Sequence, residues 1–213
     1  MKEKLFTVGL ALVALLTAST SHAAIIASYP FDSSSLASTD GEGNSSAGNI
    51  TLGSGVGSSG VNAGVGNPAP SFGFNAGNIG TAQDSADYIE FIVTASPMFV
   101  LNLTSLTFDT QGLNGSWAVS SSVAGHGSNI ATDTIGASFA GDSIDLSGAG
   151  FQNLSSITFR LYAWNGAGDN VDVFFDNIIL NGTVVPEVGT VWAGLGVLGA
   201  AILGKRFLKK KRA

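Results

Sequence analysis

Between Ala24 and Val184 the apolar residues fall in short runs of period two, cut every few residues by Gly, Asn, Asp or Ser, and helical periodicity is almost absent. A period of two sends alternate side chains to opposite faces of an extended strand, and frequent turn residues keep each strand short. In 87–94, Ile89, Phe91 and Val93 share one face, while Tyr88, Glu90 and Ile92 share the other. Leu101 and Leu103 alternate, then Leu106 and Phe108 do so one position out of phase, which predicts a bulge near Thr104 and Ser105. Trp117 and Val119 continue the sheet, as do Ile157, Phe159, Leu161 and Ala163, set against Thr158, Arg160, Tyr162 and Trp164. Val173 and Phe175 face one way with Val171, leaving Phe174, Ile178 and Leu180 for the other. Many short strands with turn signals between them predict an all-β antiparallel sandwich.

The N-terminal third is thinner. Ala24–Tyr29 reads as a strand ended by Pro30. Segment 39–66 is dominated by Gly, Ser and Asn, so loops are expected there, with brief strands at 49–52 and Ser71–Phe74. Its flanks, Tyr29-Pro30-Phe31 and Phe72-Gly73-Phe74, are aromatic, which argues for an ordered, loop-rich sheet over a disordered linker.

The body has no cysteine, so disulfides, thiolate metal sites and cysteine nucleophiles are excluded. Between Ala24 and Val184 one cation, Arg160, stands against thirteen carboxylates, a net charge of −12. Such a surface repels nucleic acid and anionic lipid.

The two ends differ sharply from that body. Residues 1–23 read as a signal peptide: Lys2 and Lys4, an apolar stretch to Leu16, a polar region, and small residues at Ser21 and Ala23 before a cut at Ala23/Ala24. At the other end, 188–204 carries no charge and reaches roughly 25 Å as a helix, close to the depth of a bilayer core. Lys205, Arg206, Lys209, Lys210, Lys211 and Arg212 follow it, which fixes the C-terminus in the cytoplasm and the body outside. The expected organisation is signal peptide 1–23, exported sandwich 24–183, and a C-terminal segment 184–213, with a single transmembrane helix at 188–204 and a basic tail at 205–213.

Just before that apolar span sit Val185, Pro186 and Glu187. Pro in a first helical turn and Glu at a helix N-terminus have ordinary physical grounds. The order of short motif, apolar helix and basic tail nevertheless resembles the PEP-CTERM sorting signal of diderm bacteria, with Val185, Pro186 and Glu187 at its Val-Pro-Glu start and Val188 where a second proline is usual. The match to the Leu-Pro-x-Thr-Gly signal of sortases is poorer, since Leu and Thr are missing. The resemblance implies recognition by exosortase, an integral-membrane cysteine protease-transpeptidase, after passage through the Sec translocon and cleavage by signal peptidase. Asp87-Tyr88-Ile89-Glu90-Phe91, Leu103-Thr104-Ser105-Leu106-Thr107-Phe108-Asp109, Trp117-Ala118-Val119-Ser120-Ser121-Ser122-Val123, Phe159-Arg160-Leu161-Tyr162-Ala163-Trp164 and Phe175-Asp176-Asn177-Ile178 are similar to the exported domains of such proteins. Those domains imply a jelly-roll-like, carbohydrate-binding-like sandwich.

Candidate sites are sparse. His126 is the body's one histidine, set between glycines, with no orienting carboxylate or nucleophile identifiable beside it. Glu90 is the carboxylate best placed for glycoside chemistry, but a strand carboxylate is ordinarily the wet side of an alternating strand. No catalytic residue is assigned and no enzyme is expected. Asp169, Asp172 and Asp176, with Asn170 and Asn177, offer oxygen ligands for calcium, although Asp, Asn and Gly in turns explain the same residues. Arg160, with Tyr162 and Trp164 on its own face, offers a glycan contact; the competing reading is an Arg stacked on aromatics and paired to an Asp across the sheet. The expected function is a non-enzymatic surface or matrix protein sorted through its C-terminus. The alternative is a module binding exopolysaccharide behind a plain membrane anchor.

Overall fold

The computed structural model describes residues 24–187 except 58, 76–78 and 167–171. The signal peptide with Ala23, the span 188–204, the tail from Lys205 to Arg212, and Asp169 therefore lie outside the described residues. Among the described residues no helix is long and apolar enough to cross a membrane. They form two antiparallel sheets and three short 3-10 turns.

The seven-stranded sheet runs in the order β11 (Ala140–Asp145), β8 (Phe99–Gln111), β13 (Val173–Pro186), β1 (Ala24–Tyr29) and β2 (Thr39–Asp40). β6 (Ser71–Phe74) shares the far edge of β13 with β1 and carries β5 (Gly60–Asn62). The six-stranded sheet runs β10 (Asn129–Ile135), β9 (Gly115–Ser121), β12 (Ser156–Asn165), β7 (Tyr88–Ala95) and β3 (Ser45–Ala47), with β4 (Thr51–Leu52) also on β7. The all-β sandwich expected from the alternation is thus present. The Gly/Ser/Asn-rich stretch supplies four strands of two or three residues, β2 to β5.

The inner faces of both sheets supply one core. A run of rings crosses it: Phe72 to Phe74 at 5.3 Å, Phe74 to Phe175 at 5.6 Å, Phe175 to Phe108 at 5.5 Å, and Phe108 to Trp117 of the facing sheet at 5.0 Å. Tyr29 and Phe31 are fully buried, as the aromatic flanks predicted. Each ring pair adds about 0.5–1.5 kcal/mol to the area that it buries.

Two irregularities set what faces outward. Pairing of β13 with β8 passes from Asn181–Ser105 to Gly182–Leu103, so Thr104 is the extra residue that shifts the phase of β8, where the sequence predicts a bulge. The second corrects the reading of β13. Ile178 and Leu180 are buried with Val173 and Phe175, not turned to the opposite face, because the register shifts between Asp176 and Ile179 and Asn177 takes a left-handed conformation (φ 49°). Gly182 is needed for close approach: a Cβ there would lie 2.9 Å from Ile26 Cδ1 and 3.0 Å from Leu103 Cα.

β13 also continues past residue 183. Val184, Val185 and Pro186 pair with Leu101, Val100 and Phe99. Because Ala24 pairs with Gly182, the start of β1 and the end of β13 leave the sandwich at the same end.

Candidate functional site

The outer face of the six-stranded sheet carries the chemistry. Register places Arg160 on β12 opposite Glu90 on β7 and Ser120 on β9, and Tyr162 opposite Tyr88 and Ala118. Arg160 Nε donates to Glu90 Oε2 at 2.6 Å, and the guanidinium lies 4.3 Å from the centroid of the Tyr88 ring. Tyr88 and Tyr162 meet edge to face at 5.7 Å. The bond to Glu90 raises the pKa of Arg160 further, so the cation is permanent. The Arg stacked and paired across the sheet is therefore present, with two corrections: its partner is a Glu rather than an Asp, and its ring is Tyr88 from the neighbouring strand.

Tyr162 is 4% exposed, so its ring is not an open platform for a ligand. Trp164 and Tyr88 are half-buried, and Arg160 and Glu90 keep 29% and 26% of their side-chain surface. Trp164 stands opposite Ser116, where a cleft of about 590 Å3 begins, bordered also by Leu113, Asn114, Thr134 and Ala137.

His126 closes the other end of this face. Its backbone is left-handed (φ 58°), its N–H donates to the Ser121 carbonyl at 3.0 Å, and its Nδ1 lies 2.9 Å from Ser120 Oγ. Burial, then the Arg160 charge, lowers its pKa, against the pull of Glu90, which keeps the ring neutral at pH 7. The Ser120–His126 contact is two parts of a hydrolytic triad in outline. Ser120, however, is 1% exposed and also faces the Tyr162 hydroxyl at 3.4 Å, so a substrate carbonyl cannot reach it.

A strap explains the burial of this outward face. The Gly80 carbonyl accepts from Asn165 N–H at 3.0 Å, and the Gln83 and Asn129 side chains exchange hydrogen bonds of 3.1 and 2.8 Å. Asn129 begins β10, three strand spacings from β7, about 14 Å away. From Gln83 the chain turns back toward β7, with Asp87 N–H donating to the Asp84 carbonyl at 3.2 Å and Ala86 N–H to Asp84 Oδ1 at 2.8 Å. Tyr162, Ala118 and Ser120 are buried on this outward face, on the strands between the two ties.

Of the calcium candidates the structure describes Asp172 and Asp176, which lie in different surroundings. Asp172 borders a second cleft with Asn62 and Asn75, and Asp176 points into the outer face of the seven-stranded sheet. There its two oxygens accept from Asn67 N–H at 2.6 Å and Asn177 N–H at 2.8 Å. The Asn177 side-chain amide spans Asp109 Oδ2 at 3.0 Å and the Asn67 carbonyl at 2.6 Å. Desolvation by burial raises the pKa of Asp176 despite those bonds. Among the described residues no three His, Cys, Asp or Glu side chains gather as a metal set would require.

Sequence reasoning singled out Arg160, Glu90 and His126 but missed Tyr88, Ser120 and Gln83 as their partners. Alternation put Tyr88 and Glu90 on one face, yet only register could bring them to Arg160.

No protein-family model matches this chain, and no curated protein matches it in sequence. Solved structures with a similar outline include the K3 adhesin domain of Lys-gingipain from Porphyromonas gingivalis, at 10% identity and TM-score 0.44, covering 75% of this chain and 99% of that one. A family 61 carbohydrate-binding module solved with β-1,4-galactotriose has 11% identity and TM-score 0.40, covering 74% and 94%. The CBM22-1 xylan-binding domain of Paenibacillus barcinonensis Xyn10C has 12% identity and TM-score 0.40, covering 77% and 97%. Similarity at this level transfers neither ligand nor residue roles.

Proposed function

We propose that this is an exported, non-enzymatic cell-surface or matrix protein whose sandwich binds polysaccharide on the outer face of its six-stranded sheet. Its C-terminal signal hands it to an exosortase-like membrane protease. The observation that carries the glycan reading is the partly exposed Arg160–Glu90 pair on the same face as the half-buried rings of Tyr88 and Trp164. A sugar presents apolar C–H faces and a rim of hydroxyls. It is met by aromatic faces beside fixed, charged hydrogen-bonding groups, and these strands hold both at the surface. Net charge in the body favours a neutral polysaccharide over an acidic one. Calcium is not required by this reading.

The sorting reading is supported by the tripartite C-terminus and by the shared exit of β1 and β13, which lets both ends of the body face one membrane. Two experiments test the proposal. Affinity electrophoresis of residues 24–187 in neutral exopolysaccharides, with and without calcium, is expected to show retardation that Arg160→Ala and Trp164→Ala weaken; uniform migration in every glycan sinks the binding role. Mass spectrometry of the mature protein from its host is expected to show a C-terminus near Glu187, and an intact end at Ala213 leaves a plain anchor.

A further inference from the structure

The sorting motif is not on a free stalk. Thr183, Val184, Val185 and Pro186 pair with Asn102, Leu101, Val100 and Phe99, Val184 packs against the core, and Glu187 N–H donates to the Met98 carbonyl at 2.8 Å. Met98 presents that carbonyl from a left-handed turn (φ 70°) closed by the Phe99 N–H to Ser96 carbonyl bond of 3.0 Å. The motif is the last rung of β13, latched at its end. A protease binds its substrate extended, with the backbone groups around the scissile bond free to pair with its own cleft. Here β8 occupies one edge of the motif. On the other side of β13, pairing with β1 begins at Gly182. With β8 on the motif, a cleft cannot close around it.

We infer that the folded sandwich gates its own processing: residues 183–187 must peel from β8 before the chain is cut at the motif. This rests on the sorting reading proposed above. Pro186 lends itself to peeling, because it has no N–H to give to the ladder. Strand ends open locally far more often than whole domains unfold, so the gate slows processing without blocking it.

The test follows conversion of full-length precursor to shortened product in the host by pulse labelling. A short Gly/Ser insertion after Val184 carries Val185 to Glu187 off β8 and onto a stalk, and is expected to speed conversion about fivefold or more. The same insertion after Glu187 lengthens the stalk below the latch and leaves the rate unchanged. Stapling the last rungs with Val100→Cys and Val185→Cys is expected to halt conversion until reductant is added. If wild type is processed but neither the first insertion nor the staple changes the rate, the gate is overturned while the sorting signal stands. If wild type keeps its tail to Ala213, the sorting reading fails, and the latch is judged with purified full-length protein and a glutamyl endopeptidase. Faster cutting after Glu187 in the first insertion then supports the latch, and equal cutting overturns it.

Discussion

On the outer face of the seven-stranded sheet Asp176 is fully buried and each of its oxygens is taken by a backbone N–H; on the six-stranded sheet Glu90 stays a quarter exposed and holds Arg160 at the surface. Both carboxylates sit on strands and both lie opposite a charged residue in register, Asp109 in the first case and Arg160 in the second. The sign of that neighbour separates the two faces. A like charge opposite Asp176 is tolerable only with donors packed around both, and Asn67 and Asn177 supply them. An opposite charge beside Glu90 needs no cover, so that pair can remain accessible to a ligand.

Removing the buried carboxylate breaks the comparison most severely. Asp176→Ala strands two buried backbone donors and is expected to cost about 3 kcal/mol in urea unfolding. Arg160→Ala is expected to cost under about 1 kcal/mol, because its ion pair is partly solvated. The ligand readout reverses that order: Arg160→Ala should weaken glycan retention about tenfold, the loss of one charged hydrogen-bonding group, while Asp176→Ala leaves it unchanged under conditions where the variant is folded. Equal effects of the two variants on retention would dissolve the distinction between the faces.

Titration separates the faces next, with smaller effects. Burial raises the folded pKa of Asp176 above 3.8, so its contribution to stability is complete below that value and is lost as pH rises through the raised one. The pKa of His126 is lowered from 6.5, so its contribution is present above that value and is lost as pH falls through the lowered one. Melting temperature against pH should therefore show two opposed steps. Asp87 and Asp142 are raised by burial as well, so Asp176→Asn should reduce the acid-side step without removing it, and His126→Gln should reduce only the step below pH 6.5; a change in both steps from either variant would show that the faces are coupled.

How much of this was legible before folding follows from where each signal resides. Alternation assigned Ile89, Phe91 and Val93 of β7 and Ile157, Phe159, Leu161 and Ala163 of β12 to the inner face correctly, since these strands run without a bulge. The bulge at Thr104 was legible because apolar residues mark both phases around it. The bulge at Asp176 was not: Phe174 and Phe175 are both apolar, so the alternation carries no phase, and the left-handed Asn177 that resets it reads like any turn residue. Arg160 was found as a lone cation, but its pairing with Glu90 rather than an Asp is a matter of register, which composition does not encode. The strap was invisible, since 80–86 has only small and polar side chains and its path is set by contacts at Gly80 and Gln83.

That strap yields the smallest expected effect and the sharpest statement about access. The Gln83–Asn129 pair is exposed at both ends, so Gln83→Ala should change global stability by under about 0.5 kcal/mol. Its consequence should be local. With that tie gone, segment 80–86 is held at its ends, by Gly80 to Asn165 and by the Ala86 carbonyl to Gly55 N–H, and hydrogen exchange near Gln83 should accelerate while the core strands keep wild-type protection. Tyr162, buried on the same face, should become reachable, read as faster nitration by tetranitromethane mapped to Tyr162 by mass spectrometry. If a glycan uses the whole aromatic row, loosening the strap strengthens retention; if it uses only Trp164 and the Arg160–Glu90 pair, retention stays at the wild-type level. Unchanged exchange across 80–86 would mean that Gln83 does not hold the strap, and the cover over Tyr162 would then have to come from the loop at 53–56, where a Cβ on Gly53 would lie 2.9 Å from the Tyr88 ring.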